Sequence, residues 1–187
     1  MCQHRRMSAE PVDGRHLRSA RSRTAVADAM LDLLRERSEQ PSAQEVADRA
    51  GVSLRTVFRH FDDMESLLAT ALQHQVARIG HLAEPLPRMA AADYVDRRAA
   101  LFEEIAGVRR AGIKYSNIPV IQAGLEESHR RLREQARTAF EIAGDVLEAV
   151  DAASSWAVWD ALRRDQGLDV DAAKAIMVLT LTRLLEG

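Results

Sequence analysis

Ser42-Ala43-Gln44-Glu45-Val46-Ala47-Asp48-Arg49-Ala50-Gly51-Val52-Ser53-Leu54-Arg55-Thr56-Val57-Phe58-Arg59-His60-Phe61 reads as two short helices joined by a tight turn. Ser42 with Glu45 three residues on is a capping box: the hydroxyl accepts from an orphan backbone N–H and the carboxylate reaches back to the cap. Val46, Ala47 and Ala50 follow at helical spacing, and Ala47 is small where two helices crossing steeply need their backbones close. Gly51 stands where a helix ends in the left-handed region, which glycine enters without a Cβ penalty, and Val52 is placed to pack beneath the turn. Ser53 supplies a fresh N-cap, after which Val57, Phe58 and Phe61 recur at helical spacing. Leu54, Arg55, Thr56 and Arg59 are left on more open faces, as in a helix that lies in a DNA major groove. Spacing alone also fits an ordinary helical hairpin; the residue pattern separates the two.

Gly-Val-Ser at 51–53, Thr56-Val57-Phe58-Arg59-His60-Phe61 and Glu65-Ser66-Leu67-Leu68 resemble the DNA-binding domain of the TetR family of bacterial repressors. With the preceding helix the resemblance runs from about residue 20 to about residue 75. It implies an all-α chain: a three-helix helix-turn-helix head and a helical body that binds a small effector and dimerises. It also implies that Leu54, Arg55 and Phe58 lie nearest base edges; through hydroxyls, charge and helix N-terminal N–H groups, Ser42, Thr56, Arg59 and His60 are candidates for phosphate contacts, and the cap Ser53 joins the DNA-binding set. Departures are visible. Arg55 replaces a common glycine or proline, Phe58 a common tyrosine, and Met64 a common lysine, while Leu34 and Arg37-Ser38 occupy positions that often hold an aromatic residue and a glycine. A guanidinium at 55 can pair bidentately with guanine, worth about 1–3 kcal/mol of discrimination, or reach a phosphate.

The totals agree with a helical, charged-headed protein. The 187 residues are 47% hydrophobic but only 4% aromatic, and glycine and proline are sparse, which favours helices over sheet. The net charge of −2 conceals an asymmetry: eleven arginines against eight acids through Phe61, then fifteen basic against twenty acidic residues. A basic front suits phosphate neutralisation, which is local. The single cysteine, Cys2, rules out an internal disulfide, and no signal-peptide core or bilayer-length apolar run is present, so a cytoplasmic protein is expected.

In chain order, residues 1–20 read as a basic, mobile arm, 21–66 as the head and 67–187 as the body. Val26, Met30, Leu33 and Leu34 mark a first helix from Arg21 to about Ser38. Asp62-Asp63 caps a fourth, to about His81, with Glu65 as its capping-box partner and Leu68, Leu72, Val76 and Ile79 as its inner stripe. Pro85 and Pro87 interrupt; a helix from about Ala91 to Ala111 follows. Asn117 with Pro119 opens a long run to about Val150, divided at Gly124 or Gly144. Two last helices cover about Ala153–Arg164 and the stretch from Asp169 to Leu185. The final one is apolar around much of its circumference, which calls for burial on more than one side and so for a second copy in a four-helix packing.

Phe102, Ile105, Tyr115, Phe140, Trp156 and Trp159 concentrate apolar bulk in the body and are the candidate lining of an effector pocket. Glu126 and His129 have the Glu-x-x-His spacing of helical di-iron proteins, but no second pair accompanies them. No phosphate loop or nucleophile elbow occurs, so no catalytic residue, metal or cofactor is expected. The reading is a homodimeric transcriptional regulator, most simply a repressor, that binds a palindromic operator and is released by an apolar effector. A metal-carboxylate enzyme and a protein-interaction module without DNA binding are the alternatives.

Overall fold

The computed structural model describes residues 14–37, 40–114 and 119–187, and among these it contains nine α-helices and no strand. The helices are α1 (Gly14–Arg37), α2 (Ala43–Ala50), α3 (Leu54–His60), α4 (Met64–Ile79), α5 (Ala91–Lys114), α6 (Pro119–Phe140), α7 (Gly144–Ala153), α8 (Trp156–Asp160) and α9 (Val170–Glu186). A 3-10 turn, Gly80–Ala83, prolongs α4, and a π turn, Ala161–Asp165, prolongs α8.

Two cores organise these elements. In the first, Val26, Met30, Leu31 and Leu34 of α1 meet Val46 and Ala47 of α2, Val57 of α3, and Leu67, Leu68 and Ala71 of α4. Val108 of α5 and Ile121 of α6 also enter it, so the head is seated directly on the body. In the second, Tyr94 and Phe102 of α5, Ala136 of α6, Leu147 and Val150 of α7, Trp156 and Trp159 of α8, and Met177 and Leu181 of α9 close together. The boundary expected after residue 66 falls inside α4, whose first turns belong to the head core.

The joint between head and body is backbone-close. A Cβ on Gly107 of α5 would stand 2.4 Å from the Arg35 Cα and 2.7 Å from the Leu34 carbonyl oxygen of α1. Beside it, the Arg35 guanidinium donates to Gln75 (2.6 Å) and Glu104 (3.3 Å), and Arg78 donates to the same Glu104 carboxylate at 2.6 Å. Three helices, α1, α4 and α5, are thereby tied at one level.

Several sequence expectations change. The first helix begins at Gly14, so residues 14–20, expected in the arm, continue α1; residues 1–13 lie outside the described residues. Asp63 does cap α4, but its capping-box partner is Ser66, because the third helical position, not the second, can reach the cap backbone. The inner face of α4 is Leu67, Leu68, Ala71, Gln75 and Ile79, while Val76 is 48% exposed. The rotation arises because Gln75 satisfies its amide against Arg35 and the Glu104 carbonyl and takes the buried place. The long run divides at residues 141–143, with Glu141 and Gly144 both at positive φ (54° and 60°), which leaves Gly124 inside α6. Pro119 is the first residue of α6, and Asn117 lies outside the described residues. The helix expected over 153–164 is broken at Ser154, after which Ser155 caps α8.

Candidate nucleic-acid interface

The α2–α3 pair is built by the interactions its sequence implies. The Ser42 hydroxyl accepts from the Glu45 N–H (3.3 Å), and the Glu45 carboxylate accepts from the Ser42 N–H (2.8 Å). These bonds, with the Arg37 guanidinium at 2.6 Å, hold the Glu45 carboxyl down at about 2. Gly51 adopts φ 65°, ψ 32°, and the Val52 N–H returns to the Ala47 carbonyl at 3.0 Å, so the chain reverses within two residues. Val52 packs on the head core as expected. Ser53 then caps α3, its oxygen accepting from the Thr56 N–H at 3.2 Å and lying 3.0 Å from the Thr56 hydroxyl.

Only Val57 of α3 is fully buried. Leu54 (37% exposed), Arg55, Phe58 (50% exposed) and Arg59 look outward, and Ser42 and Ser53 are exposed beside them. Leu54 and Phe58 thus place an apolar surface beside the two outward arginines. The charges sort in the same sense. At the end of α1 and on α2 the arginines are paired: Arg49 holds Glu36 through two bonds of 2.9 and 2.8 Å, and Arg37 holds Glu45. Arg55 and Arg59, one turn apart, have no ion-pair or hydrogen-bond partner among the described residues.

His60 is placed differently from the other candidates. It is half-buried, with its ring edge-on to Phe61 at 6.4 Å, and burial, then Arg59 and Arg23, pull its pKa below the ordinary value. Its Nε2 is shut off from solvent without a hydrogen-bond partner. Thr56 is half-buried with its hydroxyl turned to Ser53. A residue that sequence reasoning missed is Arg23 of α1. It donates to the His60 carbonyl (3.2 Å) and lies 4.8 Å over the Phe61 ring, fixing the end of α3 to α1. It lies off the apolar stripe of α1, so no periodicity marked it.

In the body, Phe102 stacks edge-on to Trp156 (5.6 Å) and beside Trp159 (6.3 Å), while Phe140 pairs with Tyr94 at 4.8 Å. Ile105 is half-buried, and Tyr115 lies outside the described residues. Four of the six candidates for the effector pocket are thus packed against other rings. Open grooves occur elsewhere, one between α5 and α9 along Asp96, Lys174, Val178 and Leu179, and one between the 3-10 turn and α6 along Glu84, Arg131 and Glu134. A buried polar cluster also went unnoticed. The Arg98 guanidinium donates to Gln135 (3.1 Å), to the Leu132 (2.5 Å) and Ser154 (3.3 Å) carbonyls, and to the Tyr94 hydroxyl. Its signal was available, since Arg98 interrupts the apolar row of Tyr94 and Phe102 at four-residue spacing. Glu126 accepts from Gln122, His129 stands 3.5 Å from Asp151, and no group of three metal-ligating side chains exists among the described residues. No described helix is long and apolar enough to cross a membrane.

A capped, glycine-turned helix pair presenting two outward arginines forms a helix-turn-helix on an all-helical body. Residues 39–71 match the family model for bacterial regulatory proteins of the tetR family. The whole fold is similar to that of a transcriptional regulator from Rhodococcus sp. Rha1 (20% identity, TM-score 0.72, covering 89% of this chain and 97% of that one). It is also similar to that of a tetR-family transcriptional regulator from Streptomyces coelicolor (16% identity, TM-score 0.70, covering 88% and 80%). No protein of curated function matches the sequence closely. Residues 39–71 thus resemble the DNA-binding region of tetR-family regulators, and the chain as a whole shares the fold of these two proteins.

Proposed function

We propose that this regulator is a ligand-responsive repressor that binds a palindromic operator as a homodimer. Its head, to the start of α4, reads DNA, and the rest senses a small molecule and dimerises. Leu54, Arg55 and Phe58 meet base edges; Arg59 and the Ser42, Ser53 and Thr56 hydroxyls meet phosphates, with His60 beside them. The observation that carries the reading is the outward pair Arg55 and Arg59, without partners among the described residues, on a helix whose apolar flank is also exposed.

The dimer is supported by α9. Its Leu179 is 56% and its Ile176 44% exposed, although its opposite face, Ala173, Met177 and Leu181, is already buried against the body. Of the last two helices only α9 offers such a face, because α8 turns both tryptophans inward. The effector acts by favouring a head spacing that no longer fits successive major grooves. The route runs through the α1–α4–α5 joint at Arg35, Gln75, Glu104 and Gly107.

Fluorescence anisotropy of a labelled duplex drawn from DNA flanking the protein's own gene tests the interface. Arg55→Ala and Arg59→Ala are each expected to weaken binding by about tenfold or more, matching about 1–3 kcal/mol per contact. Binding of the unaltered protein should fall steeply with salt as counterions are released. Unchanged affinity in both variants removes α3 as the reading helix.

A further inference from the structure

The inner face of α5 carries two arginines, eleven residues and about 16 Å apart on nearly the same side of the helix. They are treated oppositely. Arg98 is fully buried and its guanidinium is met by Gln135, Tyr94 and the carbonyls of Leu132 and Ser154. Arg109 is mostly buried too, and burial pulls its guanidinium below the ordinary value. Yet it has no hydrogen bond or ion pair among the described residues, and its Nε is shut off from solvent without an acceptor.

The surrounding sequence supplies no counter-ion. From Ile105 through Leu125 there is no acidic residue, while Arg110 and Lys114 add positive charge. Arg110 is neutralised by Asp160 at 2.7 Å, while Arg109 has no counter-ion among the described residues. A partly desolvated cation without a partner raises the free energy of the state that holds it, and a bound anion relieves that cost. One turn before Arg109 lies half-buried Ile105, and beyond it the Phe102–Trp156–Trp159 cluster.

We propose that Arg109 is the anchor of an anion site in the body, taking the carboxylate or sulfonate of a small organic acid whose apolar part packs toward Ile105. This rests on the ligand-responsive reading and narrows it, from an apolar effector to an amphiphilic anion. Gly107, two residues away, bears on the α1 backbone, so a ligand at Arg109 sits beside the head–body joint.

Two dyes with the same ring system test the site on the full-length chain: 8-anilinonaphthalene-1-sulfonate and its uncharged counterpart N-phenyl-1-naphthylamine. Saturable binding of the sulfonate is expected, weakened about tenfold by Arg109→Gln and largely kept by Arg109→Lys, while the neutral dye binds all three alike. Ligand-free Arg109→Gln should melt about 2–4 °C higher than the parent, since it loses an unpaired charge. Equal sulfonate binding in parent and Gln variant, equal loss of both dyes, no saturable binding, or a lower melting temperature overturns the site. Operator release is followed in the same samples. Sulfonate binding through Arg109 without release keeps the site and refutes the effector response; release by the neutral dye with no Arg109 dependence does the reverse.

Discussion

Gly51 and Gly107 are required for opposite reasons. At Gly51 nothing lies within 4 Å of the place a Cβ would take, and only the backbone, at φ 65°, excludes other residues. Gly51→Ala should therefore cost about 1 kcal/mol, the penalty of the left-handed region, with no repacking. At Gly107 the backbone is ordinary helix and the space is absent, because the Arg35 Cα would be 2.4 Å from the new carbon. Gly107→Ala should cost more, about 1–3 kcal/mol, since α1 and α5 must part. Urea denaturation of the two variants checks the order; a more damaging change at Gly51 refutes it. Gly51 was legible from its place between two capped helices. Gly107 was not, because its demand comes from a helix about seventy residues away in the chain.

The elements of the head carry their own pH dependence. Glu45 is held at about 2 by the Ser42 backbone and hydroxyl and by Arg37; Asp63 is lowered by Ser66 and Glu36 by Arg49. Each is a carboxyl whose folded value lies below its unfolded one. The stability it confers is complete above the ordinary carboxylate range and disappears as pH falls toward the folded value. Helical circular dichroism with thermal melts should show the melting temperature dropping between about pH 4.5 and pH 2, more gently in Glu45→Gln. A Gln variant with the same profile as the parent would remove Glu45 from the account. Both caps were readable as short-range chemistry, apart from Asp63 choosing Ser66 over Glu65. The face of α4 was not, since Gln75 and Val76 exchange places only once Arg35 and Glu104 are brought to that level.

At the scale of the whole molecule, an acidic body supports a basic head, and the proposed dimer rests on α9. Leu179→Glu places a charge at the centre of its outward face and should convert the dimer to monomer in sedimentation velocity. Duplex affinity should fall with it, because two linked heads gain avidity that one lacks. A Leu179→Glu protein that stays dimeric and binds DNA as before would move the dimer interface away from α9. The first core supplies the route for the proposed response: Val108 and Ile121 belong to the body helices yet are buried with the head.

The stretch from Ser42 to Phe61 determined its own structure, and with it the class of the protein, because caps, a left-handed glycine and helical periodicity act over a few residues and need no partner. Fold class followed from composition for the same reason. The tertiary structure alone decided which charges are spent and which are free. Arg23, Arg37 and Arg49 look no different in sequence from Arg55, Arg59 and Arg109, and only the arrival of distant partners, or their failure to arrive, separates them. Coulombic pairing depends on positions in space, and those are set by how α1, α4 and α5 pack.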